Sequence, residues 1–354
     1  LAETAKKLAR FDIVSGAFCE YIFDQDQEIK ESGTMAREKL RIDEKTKSKV
    51  LSGKTYIVTG ANSGVGLETT RQLIKQGGHV VMACRRVDAA KEAAADFGGL
   101  RGSYEIMRLD LADLQSIRNF AKEFQAKHKE LHGLDCNAGM VNTNNDITRT
   151  KNGLELTMQV SFFGHFLLTE LLLDVLKRSA PSRVVILSSV VHAGDKRNRP
   201  DVHLEDLNFD SRKYNNFAAY GEAKLANVLY ARELARRLKG TGVTAYSVHP
   251  GWARSNFGSG ASGSMKVMMA LMRPFTRTMT DSNEESAQTS LHCLLSDEAL
   301  EHSGAYFSQS SVLYRDRECK AGGWPLESPN PNARNDMKAA KLVEAGRKIV
   351  GLNG

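Results

Sequence analysis

The sequence predicts an α/β fold: a single doubly wound parallel sheet, preceded by a helical N-terminal extension. Two observations carry the prediction. Short β-branched runs alternate with helical runs from Gly53 onward, and strands alternating with helices at this spacing build a parallel sheet covered on both faces. A glycine-rich turn, "TGANSGVG", joins the first strand directly to the first helix. At 354 residues the chain has length for one large α/β domain or two small ones. No internal repeat and no boundary is visible after the first fifty residues, so 1–50 is read as a helical arm and 51–354 as one domain.

The elements follow in order. Residues 1–50 are rich in Lys and Glu; "LAETAKKLARF" and "TMAREKLRIDEKTKSKV" read as helical, broken at Gly16 and Gly33. The arm is expected outside the main domain, either packed on it or offered to a partner. "KTYIVTG" is the first strand, "VGLETTRQLIKQG" a helix, "HVVMACR" a strand and "VDAAKEAAADF" a helix. "YEIMRLDL" and "LQSIRNFAKEFQAKH" repeat the pair, and "ELHGLDCNAG" holds the fourth strand. "GLELTMQVSFFGHFLLTELLLDVLKR" is a long helix and "SRVVILSS" a buried strand. From Ala223 on, "AAYGEAKLANVLYARELARRL" reads as helix, with apolar residues at helical spacing and no Pro or Gly. "VTAYSVHPG" is the next strand. Residues 255–286 then break the rhythm with a Gly/Ser loop, a Met-rich apolar helix and a polar turn.

Composition narrows the function classes. With 41% hydrophobic and 26% charged residues the chain is globular, not disordered. A formal charge of +7 suits nucleic acid, an anionic membrane or a phosphorylated cofactor. No dense Lys/Arg run with interleaved aromatics is present, which argues against nucleic acid. Cys19, Cys84, Cys136, Cys293 and Cys319 are odd in number and scattered. They fit neither a zinc site nor a disulfide framework, so reduced thiols in a reducing compartment are expected, and no metal site is read. No apolar run approaches the roughly 20 residues of a spanning helix; "FFGHFLLTELLLDVL" carries His, Glu and Asp and reads as buried. The chain begins at Leu1, which suits a processed form whose targeting segment is gone as well as a truncated one.

Three local patterns point to chemistry. Gly60, Gly64 and Gly66 lie where strand turns into helix. Glycines there allow a tight turn and let backbone N–H groups reach a pyrophosphate, while the helix N-terminus favours the anion. Asn62, Ser63 and Val65 belong to the same loop. The second strand ends "MACRRVD": an acid there would bind an adenosine ribose 2′-hydroxyl, but Arg85 and Arg86 suit a 2′-phosphate. NADP is therefore expected over NAD. Tyr220 and Lys224 are four apart and project from one helix face; a phenol beside an ammonium is either a surface pair or chemistry.

The chain resembles the short-chain dehydrogenase/reductase family from about Gly53 to Phe307. It carries "TGANSGVG", "LDL" at Leu109–Leu111, "NAG" at Asn137–Gly139, "SS" at Ser188–Ser189, "YGEAK" at Tyr220–Lys224 and "HPG" at His249–Gly251, in the family's order. It looks most like the retinol dehydrogenase-like branch, in "YGEAKLANVLYARELARRLKGTGVTAYSVHPGWARS", "SAQTSLHCLLSD" and "SGAYFS". The resemblance implies a Rossmann domain and a set of roles. Tyr220 is the acid/base, Ser189 positions and polarises the substrate oxygen, and Lys224 holds the nicotinamide ribose. Lys224 is also expected to lower the Tyr220 pKa, since a neighbouring cation stabilises a phenolate whose free pKa is about 10. Asp110 and the Leu111 backbone meet the adenine end. Asn137, Ala138 and Gly139 close over the adenosine ribose, and Pro250 and Gly251 lie along the nicotinamide. Residues 255–286 form the lid over the substrate. His165 and His249 are read as packing or supporting groups.

Two departures from the family stand out. The usual Asn before "GHF" is Ser161, in "MQVSFFGHF"; the position helps hold a water that joins the Lys to solvent, so Ser161 is counted with the catalytic residues and the relay is expected to be weakened. The fourth strand, normally apolar, holds Gly133 and Asp135, and is expected to be irregular where it meets the cofactor.

Two functions compete. One is an NADP(H)-dependent oxidoreductase moving a hydride between nicotinamide and an apolar, retinoid- or lipid-like carbonyl or alcohol. The other is a nucleotide-binding accessory subunit of a larger mitochondrial assembly, with structural NADPH. A protein partner or membrane surface is expected at residues 1–50 or at the Met-rich lid, and a mitochondrial location is expected, with cytoplasmic or membrane-associated placement as the alternative.

Overall fold

A computed structural model describes residues 38–144, 146–195, 198–253, 280–314 and 316–352. The chain forms two compact units, Leu1–Glu38 and Lys39–Gly354, and every described element belongs to the second. The first expected helix of the arm and the Met-rich stretch of the lid lie outside the described residues.

Seven parallel strands build the sheet in the order β3-β2-β1-β4-β5-β6-β7. They are β1 Thr55–Thr59, β2 His79–Cys84, β3 Ser103–Arg108, β4 Gly133–Cys136, β5 Ser182–Leu187, β6 Val243–His249 and β7 Tyr306–Ser308. The helices are α1 Glu44–Lys47, α2 Gly64–Lys75, α3 Val87–Ala94, α4 Leu114–Lys127, α5 Leu156–Arg178, α6 Asn216–Arg237, α7 Asn283–Leu295, α8 Arg317–Lys320 and α9 Asp336–Ile349. Each sheet face has its own apolar core. Ile117, Phe120 and Phe124 of α4 join Phe162 and Phe166 of α5 and Leu225 and Leu229 of α6 on one side. Leu73 and Ile74 of α2 join Leu291 and Leu294 of α7 on the other. The central strands are buried on both faces, which is why they read as continuous apolar runs.

Three expectations need correction. The helix predicted over residues 34–50 is, from residue 38 on, a single turn. The backbone N–H groups of Leu40 and Ile42 are taken instead by the side-chain carbonyls of Gln309 (2.8 Å) and Gln288 (3.2 Å), and Ile42 is buried. Helix α6 starts at Asn216, not at Ala223: Asn215 caps it by accepting from Ala218 N (2.9 Å). Gly221 lies inside that helix because Pro200 packs there; an added Cβ would sit 3.1 Å from Pro200 Cγ.

The fourth strand is regular. Tyr56, Ile57 and Val58 pair with Gly133, Leu134 and Asp135 on one side, and all four residues of β4 pair with Arg183–Ile186 on the other. Gly133 is a packing requirement, since a Cβ would meet the Tyr56 ring at 2.6 Å. Asp135 is fully buried and neither carboxyl oxygen has a partner among the described residues. Burial pushes its pKa up to about 8, so the group is a neutral acid at pH 7.

Helix α5 is long and apolar enough to cross a membrane by length and composition, yet 78% of that stretch is buried inside the fold. Its Glu170 is held by Arg237 (2.7 Å) and Arg347 (2.6 Å). It is the central helix of its layer, as its His, Glu and Asp suggested.

Candidate active site

The strand order reverses at β1, which has β2 on one side and β4 on the other. At such a switch point the flanking loops part at the carboxyl ends of the strands and leave a crevice for a ligand. The predicted loop lies there. Gly60 and Gly64 adopt φ of +67° and +61°, a region side chains rarely enter. A Cβ on Gly66 would strike Asn137 Nδ2 at 2.4 Å, so the third glycine lets α2 approach the β4 loop. Ser63 caps α2 without accepting a hydrogen bond through its side chain, which leaves first-turn N–H groups for an anion. Asn62 and Ser63 are half-buried and Val65 is buried beneath the loop.

Around this cradle the predicted cofactor residues converge. Arg85 and Arg86 are exposed at the end of β2 and take no ion pair among the described residues. Asp110 follows β3; its Oδ1 accepts from Ala112 N (3.0 Å) and its N–H donates to Ser116 Oγ (3.0 Å), while Leu111 is buried beside it. Asn137 Nδ2 donates to Thr59 O (2.8 Å) and Ala138 N to Thr59 Oγ1 (3.0 Å). Thr59 Oγ1 also meets His165 Nε2 at 2.9 Å, so His165 supports this loop from below. Burial keeps His165 neutral, with its pKa pushed down to about 3. A Cβ on Gly139 would lie 3.3 Å from Lys224 Nζ, which brings the "NAG" turn against α6. Pro250 and Gly251 follow β6.

Three of the four predicted catalytic side chains, those of Ser189, Tyr220 and Lys224, come together near the carboxyl end of β5. Ser189 lies within side-chain hydrogen-bonding reach of Tyr220. Lys224 Nζ lies 5.5 Å from the centre of the Tyr220 ring and donates to Leu187 O (2.8 Å). Ser188 Oγ donates to Lys224 O (2.8 Å), tying β5 to α6. The expected lowering of the Tyr220 pKa is not what the protein environment gives. Desolvation pushes Tyr220 up to about 12, with only the Ser189 bond opposing, and pushes Lys224 down to about 7. Burial disfavours both charges more than their proximity favours them.

Ser161 lies in a π-helical stretch of α5, Gln159–Phe163. Such stretches free backbone carbonyls from the helix ladder. Here Ser161 O accepts from Asn227 Nδ2 (2.9 Å), which also donates to Leu187 O (3.0 Å), the carbonyl that takes Lys224. Ser161 Oγ donates to Met140 O (3.0 Å) and accepts from Met140 N (3.2 Å), so the serine fastens the loop after Gly139.

The sequence reading missed several supports. Asn227, three residues after Lys224 on the same helix, was findable from spacing alone. His192 was not: its Nδ1 meets Ser189 O, three residues back, at 2.5 Å, but what holds the ring there is Ser328 Oγ, 136 residues away and 2.8 Å from its Nε2. Asp281, buried at the start of α7, accepts from Trp252 N (2.9 Å) and pairs with Lys39. It steadies the turn after Gly251.

The fold and this crevice define a doubly wound α/β protein with Ser189, Tyr220 and Lys224 gathered beside a glycine-rich turn at the switch point of its sheet. A family model described as short chain dehydrogenase matches residues 54–198. Retinol dehydrogenase 12 of Bos taurus is 42% identical over 304 residues, covering 85% of this chain and 88% of that protein. Human retinol dehydrogenase 13 is 38% identical over 306 residues, covering 85% and 86%. A crystal structure of an uncharacterised protein from Mycobacterium paratuberculosis superposes with a TM-score of 0.66 at 28% identity, covering 86% of this chain and 95% of the other. The chain belongs to the short-chain dehydrogenase/reductase family, in its retinol dehydrogenase-like branch, and is an oxidoreductase. These relatives give no support to the accessory-subunit reading.

Proposed function

We propose that this oxidoreductase uses NADP(H) and acts on an apolar, retinoid- or lipid-like alcohol or carbonyl. The observation that carries the reading is the meeting of Ser189, Tyr220 and Lys224 beside a glycine cradle whose missing side chains leave a path for a dinucleotide. Gly60, Gly64, Gly66 and the α2 terminus would hold the pyrophosphate. Asp110, Leu111, Asn137, Ala138 and Gly139 would face the adenosine half, and Lys224, Pro250 and Gly251 the nicotinamide half. Arg85 and Arg86, exposed at the strand end, suit a 2′-phosphate. The relatives' named substrate, retinol, supports an apolar alcohol.

When bound, the nicotinamide supplies or accepts the hydride. The protein's part is the proton. Ser189 holds the substrate oxygen against Tyr220 Oη. The phenol gives its proton to that oxygen in reduction and takes it back in oxidation. Because the phenol's own pKa is high, its proton is present across the neutral range, which suits the reductive direction. Ser161 and Asn227 anchor the carbonyls around Lys224 and so position its ammonium.

The test is a panel of apolar aldehydes, retinal among them, with NADPH and NADH. Turnover with NADPH is expected in the wild type and a loss of at least about a hundredfold in Tyr220→Phe, with NADPH affinity nearly unchanged. Equal turnover in the two proteins, or a preference for hydrophilic carbonyls, overturns the reading.

A further inference from the structure

We infer that His79, Glu105 and His128 form a binding site for a divalent transition-metal ion of the zinc type, separate from the nucleotide crevice. His79 opens β2, Glu105 lies in β3 and His128 ends α4. The sequence shows no metal motif here, because the three come together only through the β2–β3 register and the return of α4. One potential ligand atom from each lies within 4.8 Å of the others.

The local bonding favours ligation. His79 Nδ1 is 2.8 Å from Ser103 Oγ, its register partner, while His79 Nε2 is buried and has no partner. With Nδ1–H donating to Ser103 Oγ, which can accept it, Nε2 keeps its lone pair for a metal. His128 Nε2 meets Glu105 Oε1 at 2.5 Å, and the His128 ring stacks on Phe124 with centroids 4.8 Å apart. The two imidazole rings lie 5.4 Å apart. Two imidazoles and a carboxylate suit zinc, nickel or copper and not magnesium or calcium, which prefer oxygen donors.

Zinc–nitrogen bonds of about 2.0–2.1 Å place tetrahedral ligand atoms about 3.3 Å apart, so the widest spacing must close by up to about 1.5 Å and the His128–Glu105 contact of 2.5 Å must open by about 0.8 Å, both within the reach of side-chain torsions. The His128 and Glu105 side chains are 18% and 28% exposed, which admits the ion and leaves its fourth position to water. Lys127 Nζ is 3.8 Å from Glu105 Oε2 and 2.7 Å from Glu123 Oε1. Its charge weakens the site but addresses the other carboxylate oxygen. His79 and Ser103 begin their strands, whereas the crevice opens at the strands' carboxyl ends, so the ion would staple the sheet edge to α4 and take no part in turnover.

The full-length protein, stripped by a chelator, is titrated with Zn²⁺ and followed by calorimetry and thermal unfolding. One equivalent should bind and raise the melting temperature, while Mg²⁺ and Ca²⁺ leave it unmoved. Binding should disappear in His79→Gln and His128→Gln, each checked for native circular dichroism. Ser103→Ala, which keeps all three ligands, should weaken binding about 10- to 100-fold. Co²⁺ should give a visible d–d band in the wild type that both histidine variants lack. Absence of saturable binding in the wild type, or undiminished binding in the histidine variants, overturns the proposal and leaves a His128–Glu105 ion pair.

Discussion

Tyr220 and Lys224 show how burial sets a site's protonation. The ammonium of Lys224 spends its short contact on Leu187 O, 2.8 Å away, and not on the phenol. Cofactor choice rests on equally local chemistry. Arg85→Glu should shift the NADPH-to-NADH preference toward NADH by about tenfold or more, about 1.4 kcal/mol, as measured by fluorescence titration with each nucleotide. An unchanged ratio would assign the 2′-phosphate to Arg86 or to another group. Asp135 gives a pH test. Its ordinary pKa is 3.8 and its folded value is about 8, so between these values the folded protein holds a proton that the unfolded chain has lost. Stability from this group is therefore complete below pH 4 and falls as pH rises toward 8, by up to about 1.4 kcal/mol per pH unit. Asp135→Val should be more stable than wild type by at least about 1 kcal/mol at pH 7 and by less at pH 5, read by urea unfolding. A variant gain independent of pH would mean that the carboxyl is solvated in solution.

The elements carry function through the joints between them. The π-helical stretch of α5 turns the Ser161 carbonyl out of the helix ladder, and Asn227 of α6 bridges it to Leu187 O at the end of β5. Three elements thus meet within one amide. Ser161 then clasps Met140, so the serine at this position fastens the loop after Gly139. Asn227→Ala takes the amide donor from the buried Ser161 carbonyl and leaves Leu187 O to Lys224 alone, which should cost about 1–3 kcal/mol of stability. Turnover should fall about tenfold or more as Lys224 loses its frame, with a smaller change in the KM for NADPH. Unchanged kinetics would show that Lys224 is positioned by Leu187 alone. Ser161→Ala loosens only the Met140 loop and should cost less turnover than Asn227→Ala.

At the scale of the molecule, two apolar layers hold the sheet, and a strip from the N-terminal side completes one of them. Ile42 is buried, Lys49 Nζ donates to Leu295 O (2.6 Å), and Lys39 pairs with the Asp281 that supports Trp252. Removing residues 1–38 keeps all of these contacts and should lower the melting temperature and NADPH affinity less than removing 1–50 does. Removing 1–50 strips a buried isoleucine, worth about 1.5–3 kcal/mol, and the Lys39–Asp281 pair, and should lower both. Differential scanning calorimetry and nucleotide titration of the two truncations make the comparison. Equal behaviour of the two would confine the strip to a surface role.

The parallel sheet, the glycine turn and the Tyr220–Lys224 pair were legible in the sequence because each depends on residues close in the chain. A strand's two-sided burial writes a β-branched run, and a helix turn writes a four-residue spacing. That is why β1, β2, β5 and β6 stand within a residue or two of their expected positions. What the tertiary structure decided was every property set by partners far along the chain. Gly133 reads as a weak point until the Tyr56 ring is seen to fill its missing side chain. Residues 38–50 read as helix until Gln288 and Gln309, more than 240 positions away, take their backbone donors. The direction of the Tyr220 shift, the tie of His192 to Ser328 and the gathering of His79, Glu105 and His128 depend on packing, which sets the local dielectric and brings distant side chains into contact. Periodicity records which face of an element is buried; it does not record what lies against that face.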